Sequence, residues 1–145
     1  MQNPKWYGWF SKATLPALLE CERVLKEVDS TIQLVPVGTT RRYAVLGFGG
    51  QPRYEHPEGR SQPLRFEERP PKLPEKYLKV SFLAGDQKSE WERRLGEAGI
   101  EQFQRNDPQR EDSLPFRLSN LEETRRHIDL LREIFRFSLM GPRKL

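Results

Sequence analysis

Cysteine is nearly missing from this sequence. Cys21 is the only one in 145 residues, so an intrachain disulfide is impossible and a cysteine-based zinc site lacks ligands. Histidine is almost as scarce, with His56 and His127 alone. No second His or Cys is spaced to join either as a metal ligand or a general base. His127 therefore reads as a packed, hydrogen-bonded side chain and His56 as an exposed loop residue. Long apolar runs are also missing. Only 35% of residues are hydrophobic, and no stretch approaches the roughly 20 apolar residues that a membrane-crossing helix needs. The opening stretch MQNPKWYGWFSK lacks the charged start, apolar segment and small-residue cleavage site of a secretion signal. These absences lead to the expectation of a soluble, cytoplasmic chain with no membrane partner.

Familiar catalytic and nucleotide-binding signatures are absent too. There is no P-loop, dinucleotide fingerprint, HExxH, EF-hand loop or nucleophile elbow. Gly47-Phe48-Gly49-Gly50 follows a predicted strand, where a phosphate loop would begin. Gln51-Pro52 comes next and opens no helix whose N-terminus could receive an anion, so the glycines read as a strand end.

What is abundant is charge. The chain carries 25 Lys+Arg against 21 Asp+Glu, a net charge of +4, and Arg outnumbers Lys by 17 to 8. The planar fork of arginine suits phosphate, carboxylate and interface pairing better than an ammonium does. Residues 1–145 have the length of a single domain, enough to bury about 70% of the unfolded surface, so that no metal or disulfide is needed to hold the fold.

Along the chain, Lys5 to Phe10 pack four aromatics into six residues. A helix follows, with Thr14 as its cap and Pro16 in its first turn, running to about Asp29 on the apolar stripe Ala17, Leu18, Cys21, Val24, Leu25 and Val28. Cys21 is thereby expected to be a buried structural thiol rather than a nucleophile. Thr31–Val37 and Arg41–Phe48 read as a β-hairpin. Residues 51–76 hold six of the twelve prolines, interleaved with Arg and Glu, and are predicted to form a long loop or linker. Tyr77–Leu83 alternates as a half-buried strand. Ser89 and Glu92 offer a capping box for a helix ending at Gly99, and Leu114–Leu118 is a short strand. Ser119 or Asn120 caps a last helix over about Leu121–Leu139. This order lacks regular βαβ alternation. It predicts an α+β domain in which a small antiparallel sheet, the hairpin plus one or two further strands, packs against about three helices on one face.

On a continuous wheel of the last helix, Leu121, Ile128, Leu130, Leu131, Ile134, Phe135, Phe137 and Leu139 cover half the circumference, with His127 among them. Arg125, Arg132 and Arg136 fall on the other half. This arginine stripe and the aromatics Trp6, Tyr7 and Trp9 are the candidate partner-binding residues, by charge and by burial capacity respectively. The competing readings are a solvated ion-paired helix face for the arginines and packing onto the core for the aromatics. Pro71-Lys72-Leu73-Pro74-Glu75-Lys76 matches a PxxPxK ligand for an SH3-like groove, a pattern any proline-rich spacer produces by chance.

One enzymatic pattern is present: Asp86 and Lys88 after a predicted strand, with Glu67, Glu68 and Glu75 upstream. A Mg²⁺-dependent nuclease needs paired acidic groups and a lysine near the attacking water. Gly85 before them and a helix cap after them favour a turn instead. The preferred expectation is a non-catalytic interaction or regulatory protein, without metal or cofactor. It would dock through basic and aromatic surfaces onto an acidic protein surface or a nucleic-acid-handling machine such as a polymerase. Direct nucleic-acid binding is the second reading, and the nuclease is the third.

Overall fold

The first helix, α1 (Leu15–Val28), follows from its apolar spacing: Ala17, Leu18, Cys21, Val24 and Leu25 are all buried on one face. The structure is a computed structural model and describes residues 10–36, 43–47, 63–69, 76–103 and 113–140. Past α1, the Asp29 side chain accepts the Thr31 N–H (3.0 Å) and hydroxyl (2.6 Å), a local turn that sends the chain into the sheet.

Five antiparallel strands follow in simple meander order: β1 (Gln33–Pro36), β2 (Tyr43–Gly47), β3 (Leu64–Arg69), β4 (Tyr77–Leu83) and β5 (Ser113–Leu118). The register pairs Leu34 with Leu46, Ala44 with Phe66, Phe66 with Val80, and Val80 with Phe116. Because side chains alternate along a strand, these residues share one face with Leu64, Leu78, Phe82, Leu114 and Leu118. All of them are buried, and they form the core with the helices. The first edge is blunted: the Leu34 N–H donates to Glu22 of α1 at 2.9 Å, covering part of the row of groups that would template another strand.

The helices pack against the sheet. These are α1, α2 (Lys88–Glu97), the short α3 (Leu121–Arg126) and α4 (Ile128–Met140). Phe135 of α4 meets Phe66 edge-on at 6.0 Å between centroids, and Phe82 meets Trp91 and Phe137 at 5.8 and 6.3 Å. Two ion pairs tie neighbouring helices together, Glu27–Arg132 (3.2 Å) between α1 and α4 and Arg94–Glu133 (2.7 Å) between α2 and α4.

The antiparallel α+β arrangement is as expected, but four local expectations are corrected. First, β3 lies inside the segment 51–76 that was expected to be a loop. Its alternation, Leu64, Phe66 against Arg65, Glu67, is only a few residues long, and Pro63 and Pro70 flank it without interrupting it. Second, α2 begins at Lys88 without the Ser89 cap. Gly85, at φ 62°, lets the chain leave β4 by a 3₁₀ turn over Gly85–Gln87 that runs directly into the helix, so Ser89 is already helical. Third, Thr14 does precede α1, but its hydroxyl donates to the buried carboxylate of Glu68 on β3 instead of capping its own helix.

Fourth, the last helix is two. Thr124 turns its hydroxyl back on the Asn120 carbonyl at 2.8 Å, a bond that bends helices. His127 then takes a non-helical backbone (φ −107°, ψ 25°) before its carbonyl receives Leu131 and the ladder resumes. The predicted ends held elsewhere. Asn120 caps α3 by accepting the Glu123 N–H at 2.8 Å, while the Glu123 carboxylate accepts the Ser119 N–H. Gly99 (φ 79°) closes α2 in a Schellman motif, with Gly99 N–H to Gly96 O (3.1 Å) and Ile100 N–H to Leu95 O (3.0 Å).

Candidate functional site

The residues alternating with the core face lie on the opposite face of the sheet. There β3 places Arg65, Glu67 and Arg69, β4 places Tyr77, Lys79 and Ser81, and β5 places Pro115 and Arg117. The register sets Arg69 beside Tyr77, Glu67 beside Lys79, and Lys79 beside Arg117. Residues 101–103 run along the outer edge of β5, with Arg117 N–H to Glu101 O at 2.9 Å and Phe103 N–H to Pro115 O at 3.1 Å. This adds Glu101 and Phe103 to the same face.

At one end of the face these side chains build a planar cluster. The Tyr77 and Phe103 rings stack 5.5 Å apart with 17° between their planes. The Arg117 guanidinium lies 4.4 Å from the Tyr77 ring centre, and the Lys79 ammonium is 5.9 Å from that of Phe103. Arg117 is held in place by Ser119 Oγ (3.0 Å) and Glu101 (3.4 Å), and Arg69 lies 3.7 Å from Glu67. Tyr77, Lys79, Phe103 and Arg117 are half-buried and Arg69 is exposed, whereas Val35, Val45, Ser81, Ser113 and Pro115 on this face are buried. The accessible part of the face is thus its aromatic and cationic end, where the described residues place Arg69, Lys79 and Arg117 beside Glu67 and Glu101.

The arginine stripe proposed from the wheel sits elsewhere, beside α1. Arg132 holds Glu27 at 3.2 Å and Asp129 at 2.8 Å. Glu27 is shared with Arg23, which also binds Glu20. The Arg23 hydrogen bond above all, aided by the charges of Arg23 and Arg125, holds the Glu20 carboxyl below its ordinary 4.5. Arg125 and Arg132 therefore lie among carboxylates, on two helices separated by the bend at His127, while Arg136 is exposed on α4. Trp6, Tyr7 and Trp9 lie outside the described residues, as do His56, Glu75 and most of the PxxPxK stretch; Phe10, the last of the aromatic run, is buried.

Cys21 is fully buried, and burial pushes its thiol well above the ordinary 9.0. The acidic residues of the nuclease pattern are dispersed. Glu67 and Glu68 point to opposite faces of β3, and Asp86 lies in the exposed turn past the far end of β4. Among the described residues, no three His, Cys, Asp or Glu side chains are grouped so as to hold a metal ion. No helix there is long and apolar enough to cross a membrane.

No local sequence pattern singles out the outer-face residues Arg69, Tyr77, Lys79, Phe103 and Arg117. The alternating polar half of β4 was visible, but only strand register shows that it adjoins the polar halves of β3 and β5. Phe103 carried no signal at all. No family model matches this chain, and neither a curated protein nor a solved structure matches it.

Proposed function

We propose that the chain is a non-catalytic binding protein that docks onto a nucleic-acid-handling assembly, with the aromatic and cationic end of the outer sheet face as its contact surface. The cluster of Tyr77, Phe103, Arg117 and Lys79 carries this reading. Aromatic and arginine side chains dominate contact hot spots, and rings held against the sheet, Tyr77 on β4 and Phe103 beside β5, lose little freedom on binding. On the helix side Arg132 is held more closely, by Glu27 at 3.2 Å and Asp129 at 2.8 Å, than Arg69 and Arg117 are held by Glu67 and Glu101 at 3.7 and 3.4 Å. The inert environment of Cys21 and the dispersal of Glu67, Glu68 and Asp86 favour binding over catalysis.

The test is affinity capture from lysate with the intact chain and with Tyr77→Ala and Arg117→Ala variants, each with and without nuclease. Capture of one nucleic-acid-handling assembly that both variants lose supports the reading. Equal capture by intact and variant chains overturns the assignment of the surface.

A further inference from the structure

On the footing of that reading, we infer that the outer sheet face binds single-stranded nucleic acid, with its bases stacking on the Tyr77–Phe103 cluster and its phosphates meeting Arg69, Lys79 and Arg117. Two observations carry this. The cluster is a set of flat groups: two rings stacked at 5.5 Å and a guanidinium 4.4 Å from one of them. Because these groups already face one another, an incoming base adds to the outer side of the pile, and every base has a face to offer. The cations flank the rings on adjacent strands, Arg69 opposite Tyr77 and Lys79 opposite Arg117, so a backbone crossing the strands passes them in turn.

The geometry also separates this ligand from its competitors. An intact duplex keeps its bases stacked on one another and closed to side-chain rings, and a flat sheet face has no helix or ribbon projecting to enter a groove. An acidic peptide would satisfy the cations and pack against the rings, but only nucleic acid offers planar groups and phosphates alternating along one chain, so affinity for an oligonucleotide is the observation that separates the two. Glu67 and Glu101 on the same face hold Arg69 and Arg117 at 3.7 and 3.4 Å, which keeps these guanidiniums beside the rings before a ligand arrives. A phosphate arriving at the face competes with those carboxylates, so affinity is moderate and falls with salt.

The experiment is fluorescence anisotropy with a labelled oligothymidylate of about 15 nucleotides, a length near the upper site size for one small domain, and a duplex of equal length. The expected result is tighter binding of the single strand than of the duplex. Tyr77→Ala and Phe103→Ala should each weaken the single strand by about 5- to 100-fold, while Tyr77→Phe, which keeps the ring, should retain binding. Lys79→Gln should flatten the slope of log affinity against log salt by about 0.7 for the phosphate contact it removes. Lys26→Gln, which removes an exposed charge on α1, should leave both affinity and slope unchanged. Circular dichroism of each variant separates lost binding from lost fold, and Lys79→Gln gives a readout that does not depend on removing a ring. Equal affinity for duplex and single strand, or no binding at about 50 mM salt, overturns the inference. If the oligonucleotide fails to bind but Tyr77→Ala still abolishes capture of a nuclease-resistant assembly, the inference falls and the docking reading stands. If both fail, the surface is wrongly assigned.

Discussion

Glu68 occupies a position on β3 where the alternation calls for an apolar residue, and it is 3% exposed. The carboxylate is retained there because it accepts the Ser11 N–H at 2.7 Å and the Thr14 hydroxyl, fastening the start of α1 to the sheet. Glu68→Ala removes that acceptor from both donors and is expected to cost about 2–4 kcal/mol. Glu68→Gln keeps an oxygen and should cost less, with the difference read in urea midpoints. Cys21 gives a second test at this scale. Its thiol stays protonated in the folded chain while the unfolded chain loses the proton above 9.0. The unfolded state then binds fewer protons, so stability falls as pH rises past 9.0, by about 1.4 kcal/mol per pH unit. Cys21→Ala should lack that component of the slope in denaturation curves between pH 8 and about pH 10.5. A thiol reagent should modify native Cys21 only as fast as the chain opens.

Among the elements, α2 shows two glycines with opposite demands. Gly99 holds φ 79° in the Schellman turn, and a Cβ there would meet nothing within 4 Å. Gly99→Ala therefore costs only the left-handed backbone, about 1–2 kcal/mol. Gly96 lies within the helix, and its Cβ would meet only Gln102 Nε2 at 3.9 Å, ordinary contact. Gly96→Ala should raise stability by about 0.5 kcal/mol through helix propensity. Thermal melts of the two single variants should move in opposite directions.

For the whole molecule, the aromatic packing between sheet and helices joins elements far apart in sequence. Phe82 of β4 touches Trp91 of α2, Phe116 of β5 and Phe137 of α4, at 5.8, 6.1 and 6.3 Å between centroids. Phe82→Ala should cost about 3–5 kcal/mol, a large part of the 5–15 kcal/mol typical of a folded domain. Its near-ultraviolet dichroism should be lost at a much lower temperature than that of the intact chain. Losing Arg132, whose partners Glu27 and Asp129 are exposed, should cost about 1 kcal/mol or less.

Local signals were sufficient where one element could satisfy itself. The apolar stripe of α1, the alternation of β4 between Tyr77 and Leu83, the Asn120 cap and the Gly99 terminus each depend on a few neighbouring residues and are legible from them alone. The α+β class followed from their order. Tertiary structure decided what depends on partners distant in the chain. The strand at Leu64–Arg69 is too short to declare itself and is held by pairing with both β2 and β4. The Thr14 hydroxyl was drawn to Glu68, 54 residues away. The wheel that aligned Arg125 with Arg132 and Arg136 assumed one uninterrupted helix, and the non-helical backbone at His127 breaks the even spacing of about 100° per residue between them. The outer-face cluster was beyond any local pattern: Tyr77, Phe103 and Arg117 meet only because register brings three separate stretches of chain to one end of the sheet.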